Sequence, residues 1–101
     1  LRPEDPADRV TAFVRLSGEA PRVAYVPPGV CHGFWFPRPT LYVYGLSTGW
    51  SRDEELGCRY DAPELGLDWP ARDPVLSARD EAPATGYAAM RDAWIAQRAA
   101  A

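Results

Sequence analysis

Proline and glycine interrupt this chain too often for long regular elements in its first half. Eleven prolines and eight glycines are spread over 101 residues. They arrive early as Gly18, Pro21, Pro27-Pro28-Gly29, Gly33, Pro37, Pro39 and Gly45. Proline removes a backbone donor, fixes φ and pushes its predecessor out of the helical region. The stretches left between these residues are strand-length, and they carry strand patterning. Residues 10–16 alternate, with Val10, Ala12, Val14 and Leu16 on one face. Residues 22–26, 33–36 and 40–45 are three further short apolar runs, the last with Leu41 and Val43 opposing Tyr42 and Tyr44. Short strands at roughly ten-residue spacing predict an all-β sandwich or barrel.

The texture changes after Gly45. Residues 51–56 are polar and acidic and predict one helical turn, and residues 58–60 predict a short strand. Residues 61–79 are dense in Pro, Gly and Asp and read as an ordered loop around the body. From Thr85 onward the period is helical, with Tyr87, Met90 and Trp94 on one face, Thr85 as N-cap and Pro83 just upstream. Residues 1–9 hold two prolines and five charges and read as an exposed lead-in.

Composition excludes several function classes. Aromatics at 12% and a net charge of -3 argue for a folded domain rather than disorder. The length allows one domain. All eleven basic residues are Arg, and the chain has neither Lys nor Asn. That excludes a Schiff-base lysine, a Walker-type phosphate loop and a glycosylation sequon. The arginines are scattered and the balance is acidic, which argues against nucleic acid as a partner. No apolar run approaches a membrane span and no signal-peptide pattern opens the sequence, so a cytoplasmic protein is expected. The lone histidine, His32, excludes a metal site needing two or more histidines from one chain; no metal and no cofactor are expected.

The densest candidate for chemistry is Val-Pro-Pro-Gly-Val-Cys-His-Gly-Phe-Trp-Phe at 26–36. A rigid turn delivers His32 between glycines beside Phe34, Trp35 and Phe36, aromatics that can wall a pocket. An imidazole there can act as acid, base or donor near neutral pH, or serve as a hydrogen-bonded structural group. Cys31 is its neighbour in sequence, so on a strand the two side chains point to opposite faces, against a Cys–His nucleophile pair. Cys58 reads as a small packed hydrophobe.

In order along the chain come Pro-Gly-x-x-His-Gly-Phe, a tyrosine-bearing strand, Gly-Trp-Ser-x-x-x-Glu, Pro-Glu-Leu-Gly-Leu-Asp-Trp-Pro at 63–70 and Pro-Val-Leu-Ser-Ala-Arg-Asp at 74–80. From about Val10 to Asp80 this resembles the C-terminal two-thirds of the dTDP-4-dehydrorhamnose 3,5-epimerases, a cupin-type family. The resemblance implies a cupin-like antiparallel jelly-roll barrel with a C-terminal α-helix. It implies one domain over 1–101 that lacks the family's N-terminal strands, and a homodimer built by exchanging such strands. It also implies epimerisation, at C3 or C5 or both, of a dTDP-linked 4-keto-6-deoxyhexose in deoxysugar biosynthesis, through an enolate and without a metal.

By the same resemblance His32 is the pocket histidine and Asp80 the carboxylate that orients a catalytic base. Arg79 holds the nucleotide diphosphate, Glu55 faces the nucleotide, and Trp50 and Phe34 complete the substrate site. His32 and Trp50 should face the barrel interior. Two departures stand out. The family's N-terminal Arg-Gly-Leu-His base segment is absent from this sequence, and Trp50 occupies the position of the family's catalytic tyrosine. Indole N–H is a donor only and no general acid. Three readings satisfy these residues: an epimerase whose base lies upstream in a longer polypeptide, a non-catalytic nucleotide-sugar-binding relative, or a degenerate structural domain.

Overall fold

The computed structural model describes Leu1, residues 3–83 and residues 85–100; Arg2 of the lead-in, Ala84 and Ala101 of the alanine tail lie outside the described residues. Its one long element is the helix α2, Tyr87–Ala100, preceded by the four-residue helix α1, Ala78–Glu81. Two 3-10 turns, Arg52–Glu54 and Pro63–Leu65, complete the regular structure among the described residues. The turn at 52–54 falls inside the predicted helical stretch.

The expected jelly-roll barrel is not there. Among the described residues no strand forms, and backbone pairing of the β type is limited to one isolated bridge, Ser17 to Ala20. The physical reason is that a strand is not a local structure: its N–H and C=O groups need a neighbouring ladder. Stretches 10–16, 22–26, 33–36, 40–45 and 58–60 find none within these residues. Prolines 21, 27, 28, 37 and 39 further bound the stretches 22–26, 33–36 and 40–45. Side chains expected in a barrel core face solvent instead, Val23 at 96% and Leu41 at 92% exposure.

What the patterning does keep is the side-chain period. Phe34 lies against Tyr42 with ring centroids 4.5 Å apart, Phe36 against Tyr42 at 5.6 Å, and Tyr42 beside Tyr44 at 5.4 Å. The even-numbered residues of 34–36 and 42–44 therefore share one aromatic face across the Pro37-Arg38-Pro39 turn, without ladder hydrogen bonds.

The core is instead one face of α2. Met90 is 1% exposed and Tyr87 7%, with Trp94 half-buried on the same face, as the helical period predicts. Gly86 rather than Thr85 opens the helix, since the Met90 amide donates to the Gly86 carbonyl at 3.0 Å. The Thr85 hydroxyl is used elsewhere, donating to the Gly57 carbonyl at 2.9 Å. Around α2 the rest of the chain is hung by side chains. Arg91 pairs with Asp8 at 2.6 Å and Arg98 with Glu4 at 2.9 Å, while the Trp94 indole donates to the Leu1 carbonyl at 3.1 Å. The charged lead-in is thus bound to the helix rather than free.

A second tryptophan, Trp69, ties the middle of the chain together. It meets Phe13 and Tyr60 edge-on, at 5.4 and 5.9 Å, and donates to the Tyr60 carbonyl at 2.8 Å. Its loop turns at Gly66, whose φ of 60° closes the 63–65 turn in the left-handed region. Met90→Ala should cost about 2–5 kcal/mol, because the cavity opens in the most buried spot of a thin core. Urea unfolding of the two proteins measures it, and an unchanged midpoint would refute the central place given to α2.

Candidate functional site

The turn carrying His32 is clamped at alternate residues. Gly29 has φ of 90°, and a Cβ there would sit 3.3 Å from the Trp94 ring, so only glycine fits both the backbone and the contact. Cys31 Sγ lies 4.0 Å from Met90 Sδ. A Cβ on Gly33 would meet the Trp69 ring at 3.8 Å. Residues 29, 31 and 33 thus touch the body, while His32 between them is exposed. Cys31 and His32 have different neighbours.

Glu55 lies within electrostatic reach of His32. Its Oε2 accepts from the Trp50 indole at 2.8 Å and from the Arg79 guanidinium at 2.5 Å. Arg79 reaches it from α1, whose start is set by Ser77: the Ser77 hydroxyl accepts from the Asp80 amide at 3.2 Å, an N-cap. Hydrogen bonding by Arg79 foremost holds the Glu55 carboxyl below its ordinary value of 4.5. The Trp50 hydrogen bond and the charges of Arg79 and His32 add to this, against partial desolvation. Trp50, Glu55 and Arg79, drawn from three separate segments, therefore form one hydrogen-bonded cluster within electrostatic reach of His32.

The cluster borders an open groove of about 510 Å³ lined by residues 46–51, Glu54, Glu55 and Gln97. Gln97, on the outer turn of α2, went unnoticed in the sequence; it is the chain's one carboxamide side chain, and that rarity was the available signal. The remaining expected site residues lie apart. Phe34 belongs to the exposed aromatic face with Phe36 and Tyr42. Asp80 accepts from the Ser77 hydroxyl at 3.0 Å and so serves the start of α1. His32 and Trp50 do not face a barrel interior: both are exposed, Trp50 at 62%, because no barrel encloses them. Among the described residues no group of His, Cys, Asp and Glu is arranged to hold a metal ion, and no helix is long and apolar enough to cross a membrane.

The chain belongs to the dTDP-4-dehydrorhamnose 3,5-epimerase family, whose model matches residues 1–86. It is 35% identical over 68 residues to a dTDP-4-dehydrorhamnose 3,5-epimerase of Pseudomonas aeruginosa, a stretch covering 65% of this chain and 38% of that protein. A dTDP-4-dehydrorhamnose 3-epimerase of Streptomyces niveus is 36% identical over 68 residues, covering 66% and 33%. The 3,5-epimerase of Salmonella typhimurium is 30% identical over 84 residues, covering 81% and 46%. The chain thus spans less than half the length of these relatives. No solved structure matches it.

The Glu55 cluster titrates in a defined direction. Its folded pKa lies below the ordinary 4.5, so the ion pair contributes fully above that pH and is lost as pH falls through the lowered value. Both partners are about 40% exposed, and solvent screening keeps the contribution below about 1 kcal/mol. The Trp50 indole N–H resonance should therefore shift in acid with a midpoint below 4.5, and Glu55→Gln should abolish that titration. A flat resonance in the unaltered protein would dissolve the cluster.

Proposed function

We propose that this chain forms part of an epimerase for a dTDP-linked 4-keto-6-deoxyhexose and carries its sugar-nucleotide site. The observation that supports it is the meeting of Trp50, Glu55 and Arg79 within electrostatic reach of His32. The reaction needs a proton removed next to the C4 ketone, and the resulting enolate needs a donor at its oxygen. His32, exposed and held by the clamped turn, is the donor or positioning group. Arg79 spends part of its fork on Glu55, and its five N–H groups leave donors for two diphosphate oxygens. Trp50 gives a flat face on which a sugar or base ring can lie. Phe34 extends that wall once the aromatic face is covered.

Asp80 would orient a base supplied from outside these residues. In this chain it holds the Ser77 hydroxyl instead, and Trp50 cannot return a proton. Those two facts favour a second reading, a relative that binds the nucleotide sugar without enolising it. In both readings the functional unit is a cytoplasmic homodimer with no nucleic-acid or membrane partner. The large apolar side chains exposed at Val10, Val23, Leu41 and Val43 support pairing.

Incubation with dTDP-4-keto-6-deoxyglucose in heavy water distinguishes the readings. Deuterium at C3 or C5 is expected for the epimerase. Its absence with dTDP binding intact selects the binding relative, and absence of both refutes the site. Arg79→Ala should raise the calorimetric Kd for dTDP by roughly tenfold, the worth of a charge-assisted hydrogen bond. Unchanged affinity would remove Arg79 from the site.

A further inference from the structure

The family match ends at residue 86, and α2 begins at Tyr87. Gln97, near the end of that helix, nevertheless lines the groove that borders the Trp50–Glu55–Arg79 cluster. At about 510 Å³ the groove falls within the range of small-molecule clefts, roughly 300–1,000 Å³. Its polar groups are mostly acceptors. The donors that reach Glu55 from Trp50 and Arg79 both end on Oε2, so Oε1 accepts from neither. Glu54, exposed at the end of the 52–54 turn, brings a second carboxylate. The Gln97 carboxamide adds one acceptor oxygen and an amide donor, and the hydroxyls of Ser47 and Thr48 serve either way. Trp50 has spent its one donor on Glu55, which fixes the ring and leaves its apolar face, 62% exposed, to the groove.

We infer that Gln97 and Glu54 bind the hexose, and that this groove takes the sugar end of the ligand rather than its base or diphosphate; the inference rests on the sugar-nucleotide reading above. A pyranose ring laid on Trp50 turns its hydroxyls outward around the rim, and each hydroxyl is a donor. Glu54, Glu55 Oε1 and the Gln97 oxygen can take several such donors at once, whereas a thymine ring offers a single N–H. A diphosphate is repelled by the two carboxylates, a cost that falls on like charges brought close together. Arg79 binds Glu55 but is not among the groove's lining residues. Diphosphate and hexose are therefore held at neighbouring places joined through Glu55. A site built to hydrogen-bond hydroxyls discriminates strongly against ligands that lack them. Gln97, supplied from beyond the residues that match the family, is thus a residue by which this chain selects among sugars.

The test compares dTDP-glucose with dTDP by calorimetry on the full chain and on Gln97→Ala and Glu54→Ala. Both side chains are exposed, so the variants should keep the Tm of the unaltered protein. The unaltered protein should bind dTDP-glucose more tightly than dTDP. Each variant should raise the Kd for dTDP-glucose by roughly fivefold, the worth of a hydrogen bond to the sugar, and leave that for dTDP unchanged. Equal losses for both ligands would put the base in the groove and overturn the assignment. So would a dTDP-glucose affinity that neither variant alters. The two failures are separable. Binding of dTDP that depends on Arg79, with dTDP-glucose indifferent to Gln97 and Glu54, overturns the groove assignment alone. No binding of either ligand to the unaltered protein overturns the sugar-nucleotide reading and this inference with it.

Discussion

The burial of Met90 and Tyr87 on one face of α2 is the constraint on which the rest of this chain depends. A 14-residue helix is marginal by itself in water, so it persists because that face is covered. The cover comes from loops, and each is attached by a side chain of the helix. Trp94 takes Gly29 beneath its ring, Met90 takes Cys31, and Arg91 and Arg98 take carboxylates of the lead-in. Helix and loops are therefore mutually conditional. The turn that presents His32 has no regular structure of its own, and its shape is the imprint of two tryptophans and a methionine.

The same economy holds at the candidate site, where Glu55 is the shared acceptor. Trp50, Glu55 and Arg79 come from a loop, the end of a 3-10 turn and a one-turn helix, elements with no backbone hydrogen bonds to each other. A carboxylate accepting from an indole and a guanidinium can join them because it offers several lone-pair sites. Charge then explains why the arrangement faces outward. An ion pair at this exposure is weak, but sinking it into a core this thin would cost far more than its Coulomb attraction returns.

The C-terminal helix and the turn at 52–54 were legible in the sequence because their signals are local. The 63–65 turn and α1, by contrast, lie in or at the edge of the stretch 61–79 expected to be loop. The period of Tyr87, Met90 and Trp94 and the acidic stretch at 51–56 state their structure within a few residues. The strands were misread because alternation is also local, whereas a sheet is not. Phe34, Phe36, Tyr42 and Tyr44 show the distinction well. Their alternation puts four rings on one face, yet no amide of those runs has a ladder partner. Thr85 was misplaced by one position, since a hydroxyl beside Gly86 signals a cap equally well whether it binds its own helix or the Gly57 carbonyl. At the site, residue types guided the choice of Trp50, Glu55 and Arg79, but nothing in the spacing of 50, 55 and 79 announces that they touch. Asp80 shows the converse: a motif position was readable, while the hydroxyl of Ser77 that occupies its carboxylate was not.

Arg79 is where these threads meet, because in the proposed function one guanidinium serves two anions. Glu55 holds it in this structure, and a diphosphate would bring about twice the charge to the same fork. Binding need not break the existing pair. Glu55 contacts only Nη1, and the fork geometry of arginine leaves its other edge free for a second oxygen pair. A carboxylate left in place then orients the fork and lowers the entropy lost on binding, at the expense of some repulsion toward the phosphates. The hydrogen bond from the Trp50 indole to Glu55 would offset part of that repulsion. A lysine in place of Arg79 would offer three donors around one point rather than a planar fork with two edges, so two oxygen pairs could not be held side by side.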